Sequence, residues 1–110
     1  MIPLPARPAL ADLQRYVHDL EAQHGWLEAD AVRTCFLMGE EVGELFAAVR
    51  TADRATAAGE PVAGTPLADA VGEEIVDVLN YLLALANRLD IDLEAAFVAK
   101  NRRNETRTWS

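Results

Sequence analysis

The chain has 110 residues, so we expect a single domain that spans residues 1–110. Apolar residues make up 51% of the chain and aromatic residues only 6%, which favours a folded, helix-rich protein over a disordered or β-rich one. A formal net charge of −8 argues against binding to nucleic acid or to an anionic membrane. No apolar stretch is long enough for a bilayer span or a secretory signal, so the sequence predicts a cytoplasmic protein.

Hydrophobic periodicity predicts two helices in the first half of the chain. The first runs from about residue 9 to residue 24 and ends at Gly25. Asp30 is placed to cap the second, which fades after Arg54. Cys35 lies within an apolar part of this helix, so we expect it to be buried rather than reactive.

Two more helices are predicted after a Gly- and Pro-containing loop at residues 57–65. Thr65 and Pro66 have the residue types of a helix start, and the third helix continues to about residue 89. Asp92 can cap the fourth helix, whose polar end from residue 102 onward is expected to fray. With no convincing strand, the expected fold is an all-α, four-helix-bundle-like domain that is completed by oligomerisation.

Two clusters of carboxylates lie on the second and third helices. The first cluster contains Glu40, Glu41 and Glu44, and the second contains Glu74 and Asp77. Residues three positions apart share a helix face, so Glu41 projects with Glu44, and Glu74 projects with Asp77. Most such runs are solvated acidic faces, but here no Lys or Arg lies within one turn of the four paired acids.

Unpaired acids along otherwise apolar stripes are destabilising unless a cation lies among them. Oxygen ligands favour Mg²⁺, with Mn²⁺ as a possible substitute, and Mg²⁺ commonly bridges carboxylates to substrate phosphates. Di-iron helix bundles are the main alternative, but they use Glu-x-x-His ligands, and neither His18 nor His24 lies in these clusters. The spacing therefore predicts a magnesium site at Glu41, Glu44, Glu74 and Asp77.

The order of these motifs resembles the MazG-like nucleotide pyrophosphohydrolases of the all-α NTP pyrophosphatase superfamily, which also includes dimeric dUTPases and dCTP pyrophosphatase. Three elements carry the resemblance: EEVGEL at residues 40–45, EIVDVLNYL at residues 74–82, and a K-x-x-x-N element formed by Lys100 and Asn104. The resemblance implies Mg²⁺-dependent hydrolysis of a nucleoside triphosphate between its α- and β-phosphates. It also implies a homodimer or homotetramer and a catalytic role for Glu41, with Glu40 beside the metal as a candidate base.

Six residues are expected to contact the substrate. The resemblance assigns Lys100 and Asn104 to this role, while Arg107 adds a positive charge, and an exposed Trp26 would offer a face for stacking on a nucleobase. Packing of Trp26 between the first two helices is an equally good hypothesis. Asn80 and Tyr81 follow Asp77 on the third helix and could border the pocket.

Two other functions remain open from the sequence. One is a phosphoribosyl-ATP pyrophosphohydrolase on the same scaffold, although EVGEL and DVLNYL are more typical of enzymes that act on deoxynucleotides. The other is a non-catalytic helical adaptor that retained the fold without the chemistry.

Overall fold

A computed structural model describes residues 1–108 as an all-α protein. Its helices are α1 (Leu10–His24), α2 (Ala31–Ala57), α3 (Pro66–Arg88) and α4 (Leu93–Thr106), and residues 1–108 contain no strand. The all-α prediction with four helices is therefore confirmed. The predicted fraying from residue 102 onward is wrong, because α4 continues to Thr106 and Arg102 pairs with Glu105 at 2.9 Å. Within residues 1–108, no helix combines the length and apolar character that crossing a membrane requires.

Three of the predicted helix boundaries are confirmed by their capping geometry. Gly25 follows α1 with φ of 72°, a left-handed conformation that glycine adopts without the steric strain a Cβ would bring. The Thr65 hydroxyl accepts a hydrogen bond from the Leu67 N–H at 3.3 Å, at the start of α3. The Asp92 carboxylate accepts one from the Ala95 N–H at 3.1 Å, at the start of α4.

The chain divides into two compact units, the first of which comprises Met1–Ala31 and Leu83–Ser110. Its buried apolar residues come from α1 and from the end of α3: Val17, Leu83, Ala84 and Ala86. They are small or medium-sized aliphatic residues, as expected where helices approach closely.

A buried ion pair fastens the loop between α1 and α2 to α3 in this first unit. Arg88 donates to both carboxylate oxygens of Glu21, at 2.6 and 3.0 Å, and each side chain is only 11% exposed. The same guanidinium also donates to the backbone carbonyls of Trp26, at 3.1 Å, and of Ala29. The hydrogen bonds to the Glu21 carboxylate raise the pKa of Arg88 further above its ordinary value, so the guanidinium stays ionised.

An amide network makes a second connection inside the first unit. The Gln14 side chain donates to the Asn87 side chain at 3.1 Å and to the Ile91 carbonyl at 2.8 Å. The Gln14 side chain also accepts a hydrogen bond from the Leu93 N–H at 3.0 Å. The Asn87 side chain donates in turn to the backbone carbonyl of Gln14 at 2.8 Å. These bonds hold α1 against the turn between α3 and α4.

The second unit, Val32–Leu82, contains most of α2 and the first part of α3. Its buried residues are Thr34 and Ala55. Cys35 is exposed, so the prediction that it is buried is wrong. The physical reason is that α2 carries apolar residues around most of its circumference, and residues 1–108 cover only one side of it.

Candidate metal centre

Three of the four predicted ligands come together in the second unit. Glu41 and Glu44 lie three residues apart on α2, and Glu74 lies on α3. Each offers one carboxylate oxygen, and the three oxygens lie within 4.8 Å of one another. The predicted pairing of the two helices through their acidic residues is therefore present for these three.

The carboxylates of Glu41 and Glu74 are only half exposed, and one oxygen of each is out of reach of solvent. The Oε2 atoms of these two residues have no hydrogen-bond partner among residues 1–108. No ion pair recorded within that range involves the cluster either. Two buried, unpartnered carboxylate oxygens are unfavourable and indicate that a donor or cation is needed there.

Burial and like charge act together on these carboxyls. Burial is the largest cause that raises the pKa of Glu41 above its ordinary value, followed by the charges of Glu44, Asp77 and Glu74. Burial likewise raises the pKa of Glu74 first, followed by the charges of Glu44, Asp77 and Glu73. In this cluster, both burial and the neighbouring negative charges therefore oppose the ionisation of Glu41 and Glu74.

Asp77 lies at the edge of this arrangement. Its charge reaches both Glu41 and Glu74, but its carboxylate is exposed and is not among the oxygens that meet within 4.8 Å. Glu44 is exposed as well, so of the four acids predicted along apolar stripes only Glu41 and Glu74 are partly buried, and the prediction of a buried position is wrong for Glu44 and Asp77. The i,i+3 spacing places each exposed acid next to a half-buried one, at the rim of the same helix face.

Two further acids are sequence neighbours of the cluster. Glu40, the candidate base, is exposed on α2. Glu73 was not assigned a role from the sequence, yet its charge contributes to the raised pKa of Glu74. The sequence feature that could have indicated this contribution is the position of Glu73 directly before Glu74.

The donor set fits a hard divalent ion. Carboxylate oxygens are the ligands that Mg²⁺ and Mn²⁺ prefer, and the unpartnered Oε2 atoms of Glu41 and Glu74 supply negative charge where a cation would be stabilising. The cluster lacks the His or Cys ligands typical of zinc and iron sites, since its members are all glutamates.

Two predicted substrate residues follow the acids on α3 in the second unit. Asn80 and Tyr81 are both half-buried. Their helix positions, three and four residues beyond Asp77, put them one turn further along α3.

Four predicted substrate residues belong to the first unit. Lys100 is exposed on α4, while the half-buried Asn104 donates to the Asn101 side chain at 3.3 Å. Arg107 follows the last turn of α4, and its N–H donates to the Asn104 carbonyl. Trp26 is 55% exposed and stacks on His24, with ring centroids 4.4 Å apart and planes 16° from parallel.

Comparison with known proteins gives one informative match. No protein-family model matches the chain. The chain is 34% identical to dCTP pyrophosphatase 1 of Rattus norvegicus over 104 residues, which cover 91% of this chain. It spans 59% of the length of that relative. A dCTP pyrophosphatase is one of the enzymes in the superfamily that the acidic motifs resemble, so the match supports the likeness of this chain to the all-α NTP pyrophosphatases.

Proposed function

We propose that the protein is a Mg²⁺-dependent nucleotide pyrophosphohydrolase. It would cleave a nucleoside or deoxynucleoside triphosphate between the α- and β-phosphates to give the monophosphate and pyrophosphate. The observation that carries the proposal is the meeting of Glu41, Glu44 and Glu74 oxygens within 4.8 Å, with two oxygens buried and unpartnered. The similarity to a dCTP pyrophosphatase supports the reaction and makes dCTP the first substrate to test.

Glu41, Glu44 and Glu74 would hold the ion, and Asp77 would complete its negative surroundings from the rim. When bound, Mg²⁺ neutralises phosphate charge and lowers the pKa of a coordinated water. Glu40 directly precedes Glu41 on α2 and is exposed, and we propose that it accepts the proton of the attacking water. The water oxygen forms a bond to phosphorus as the bond to the pyrophosphate oxygen breaks.

The remaining assignments concern substrate binding. Lys100 and Arg107 offer positive charge to the phosphates, and Asn104, Asn80 and Tyr81 offer hydrogen bonds. We propose that the exposed, already stacked Trp26 receives the nucleobase on its indole face. Each assignment is testable by a substitution that raises KM.

A nucleotide panel tests the proposal directly. Purified protein is assayed for pyrophosphate release from all common NTPs and dNTPs with Mg²⁺, with Mn²⁺ and with EDTA. We expect metal-dependent release, with dCTP among the substrates. Phosphoribosyl-ATP belongs in the panel, because turnover of that compound alone would favour the histidine-biosynthesis alternative.

A thermal-shift titration separates the enzyme from a helical adaptor. A metal that binds only the folded state raises the melting temperature by mass action. We expect Mg²⁺ and Mn²⁺ to raise it for the native chain and not for Glu74→Gln. The absence of both pyrophosphate release and a metal-induced shift would contradict the proposal and favour the adaptor.

A further inference from the structure

Two aromatic side chains stack on each other where α1 ends. His24 is the last residue of α1, and Trp26 lies two residues further on, in the connection to α2. Their ring centroids are 4.4 Å apart and the ring planes are 16° from parallel. Residues two positions apart on a helix point in nearly opposite directions. Gly25, with φ of 72°, ends the helix between them, and this left-handed residue lets the two rings face each other.

The backbone that carries the indole of Trp26 is fixed by hydrogen bonds. The Trp26 N–H donates to the Glu21 carbonyl at 2.8 Å, and the Trp26 carbonyl accepts from the Arg88 guanidinium at 3.1 Å. Arg88 is itself held by the buried Glu21 carboxylate. The freedom that remains to the indole is rotation about its side-chain torsions, and stacking on His24 restrains that rotation.

The stacked pair lies on the surface and leaves one face of the indole open. The imidazole of His24 covers one face of Trp26, yet Trp26 is 55% exposed. A tryptophan that fills a core is mostly buried, so this exposure favours a binding role over a packing role. The open face is flat and apolar, and it suits a planar ring such as a nucleobase.

We propose that His24 is a positioning residue for the nucleobase: it covers one face of Trp26 and fixes the indole, so that the base stacks on the opposite face only. The inference rests on the nucleotide-binding part of the proposed function and adds to it a residue that acts through Trp26. A ring that is already oriented loses less entropy when a ligand binds. Every base has a π face, so His24 should affect the affinity for all nucleotides and not the preference among them.

Steady-state kinetics with the best nucleotide of the panel test this role. We expect His24→Ala to raise KM about three- to tenfold, as for a side chain that must be ordered on binding, with kcat unchanged. His24→Phe keeps a ring for stacking and should retain the native KM. The matched control is His18→Ala, which removes the other histidine, also exposed on α1, and should behave like the native chain. An unchanged KM for His24→Ala would overturn the proposal.

A double-mutant cycle shows whether His24 acts through Trp26. Trp26→Ala removes the indole but keeps the backbone bonds of that residue. His24→Ala should then have no further effect on KM, because the ring that it positions is gone. Far-ultraviolet circular dichroism checks that each variant is folded. Equal effects of His24→Ala with and without Trp26 would contradict the positioning role.

Binding without turnover separates this inference from the proposed reaction. The chain has two tryptophans, so Trp109→Phe leaves Trp26 as the only source of indole fluorescence and of indole bands in near-ultraviolet circular dichroism. In this background, His24→Ala should weaken the indole bands, and His24→Phe should retain them. The four deoxynucleoside monophosphates have no α–β bond to cleave. We expect at least one of them to quench the fluorescence, with an affinity that His24→Ala lowers about three- to tenfold.

The two proposals fail in different ways. Quenching by a monophosphate without pyrophosphate release from any triphosphate would overturn the proposed hydrolysis and support the role of His24. Equal affinities of the native and His24→Ala chains for the monophosphate, or no quenching by any of the four, would overturn the role of His24. Pyrophosphate release by the same protein would then still support the hydrolysis.

Discussion

The two units differ in how their polar side chains are partnered. In the unit formed by Met1–Ala31 and Leu83–Ser110, the buried Glu21 is paired with Arg88, and Gln14 is hydrogen-bonded at both ends of its amide. In Val32–Leu82, Glu41 and Glu74 each retain a buried oxygen without a partner. The buried charge of Glu21 is satisfied within the first unit, whereas the second unit keeps negative charge available for a ligand.

This difference separates stability from function. Paired groups hold a fold together, and breaking a buried pair leaves the surviving charge unsatisfied. Unpaired like charges destabilise the ligand-free fold and favour binding of a cation. Substitutions in the two units should therefore have opposite effects on stability. Three stability experiments test that expectation, and a fourth experiment tests the function of the acidic cluster.

The largest effect is expected on catalysis. Glu41→Gln removes a charged ligand from the centre of the cluster, and we expect kcat/KM for pyrophosphate release to fall by at least about a hundredfold. Glu94→Gln, which changes an exposed glutamate on α4, is the matched control and should leave the rate unchanged. Comparable rates for the two variants would remove Glu41 from the mechanism.

Arg88→Met should give the largest loss of stability. Glu21 would be left buried without its cation, and the free energy of unfolding should fall by about 3 kcal/mol, measured by urea denaturation. Arg102→Met breaks the exposed pair with Glu105 and should change it by less than about 1 kcal/mol. Similar values for the two variants would mean that burial does not set the strength of the Arg88 pair.

Removal of charge from the second unit should stabilise the metal-free protein. The pKa of Glu74 is raised above its ordinary value of 4.5 in the folded state. The protonated carboxyl of Glu74 therefore stabilises the fold fully below the unfolded-state pKa, and this stabilisation is lost as the pH rises through the folded-state pKa. Above pH 4.5, Glu74→Gln in EDTA should therefore melt at a higher temperature than the native chain, by a margin that grows with pH.

Two thermal measurements check this expectation. Melting curves in EDTA from about pH 4 to about pH 8 give the margin between the two proteins. Saturating Mg²⁺ should abolish or reverse it, because the ion stabilises only the native cluster. A margin that is independent of pH would contradict the raised pKa.

The smallest effect is expected at a helix cap in the first unit. Asp92→Ala removes the acceptor for the Ala95 N–H and should lower the free energy of unfolding by about 1 kcal/mol. Asp92→Asn keeps an acceptor and should lower the free energy of unfolding by only about a few tenths of a kcal/mol. Equal losses for both would indicate that the charge of Asp92, and not the hydrogen bond, is what stabilises α4.

Local patterns in the sequence predicted the helices and much of the acidic cluster. The caps at Thr65 and Asp92 and the termination at Gly25 depend on neighbouring residues only, so they could be predicted. The i,i+3 spacing put Glu41 beside Glu44, and the lack of basic neighbours indicated a cation.

Other features depend on contacts that the sequence does not reveal. The exposure of Asp77 is set by how α2 and α3 pack. Residue spacing predicts the face of α3 on which Asp77 lies, but it does not predict whether that face is covered. Cys35 was expected to be buried because apolar residues surround it along the chain, which does not show which side of α2 is covered. Glu21 and Arg88 are 67 residues apart, and no local motif connects them.

The guanidinium of Arg88, on α3, holds the segment that connects α1 to α2 in one conformation. One planar group serves a carboxylate and the carbonyls of Trp26 and Ala29 at once, which a lysine ammonium on its flexible stem does not reproduce. The backbone around Trp26 is therefore locked by a residue outside its own segment. Without that lock, residues 25–30 become the first point of attack for a protease while the helices are still folded.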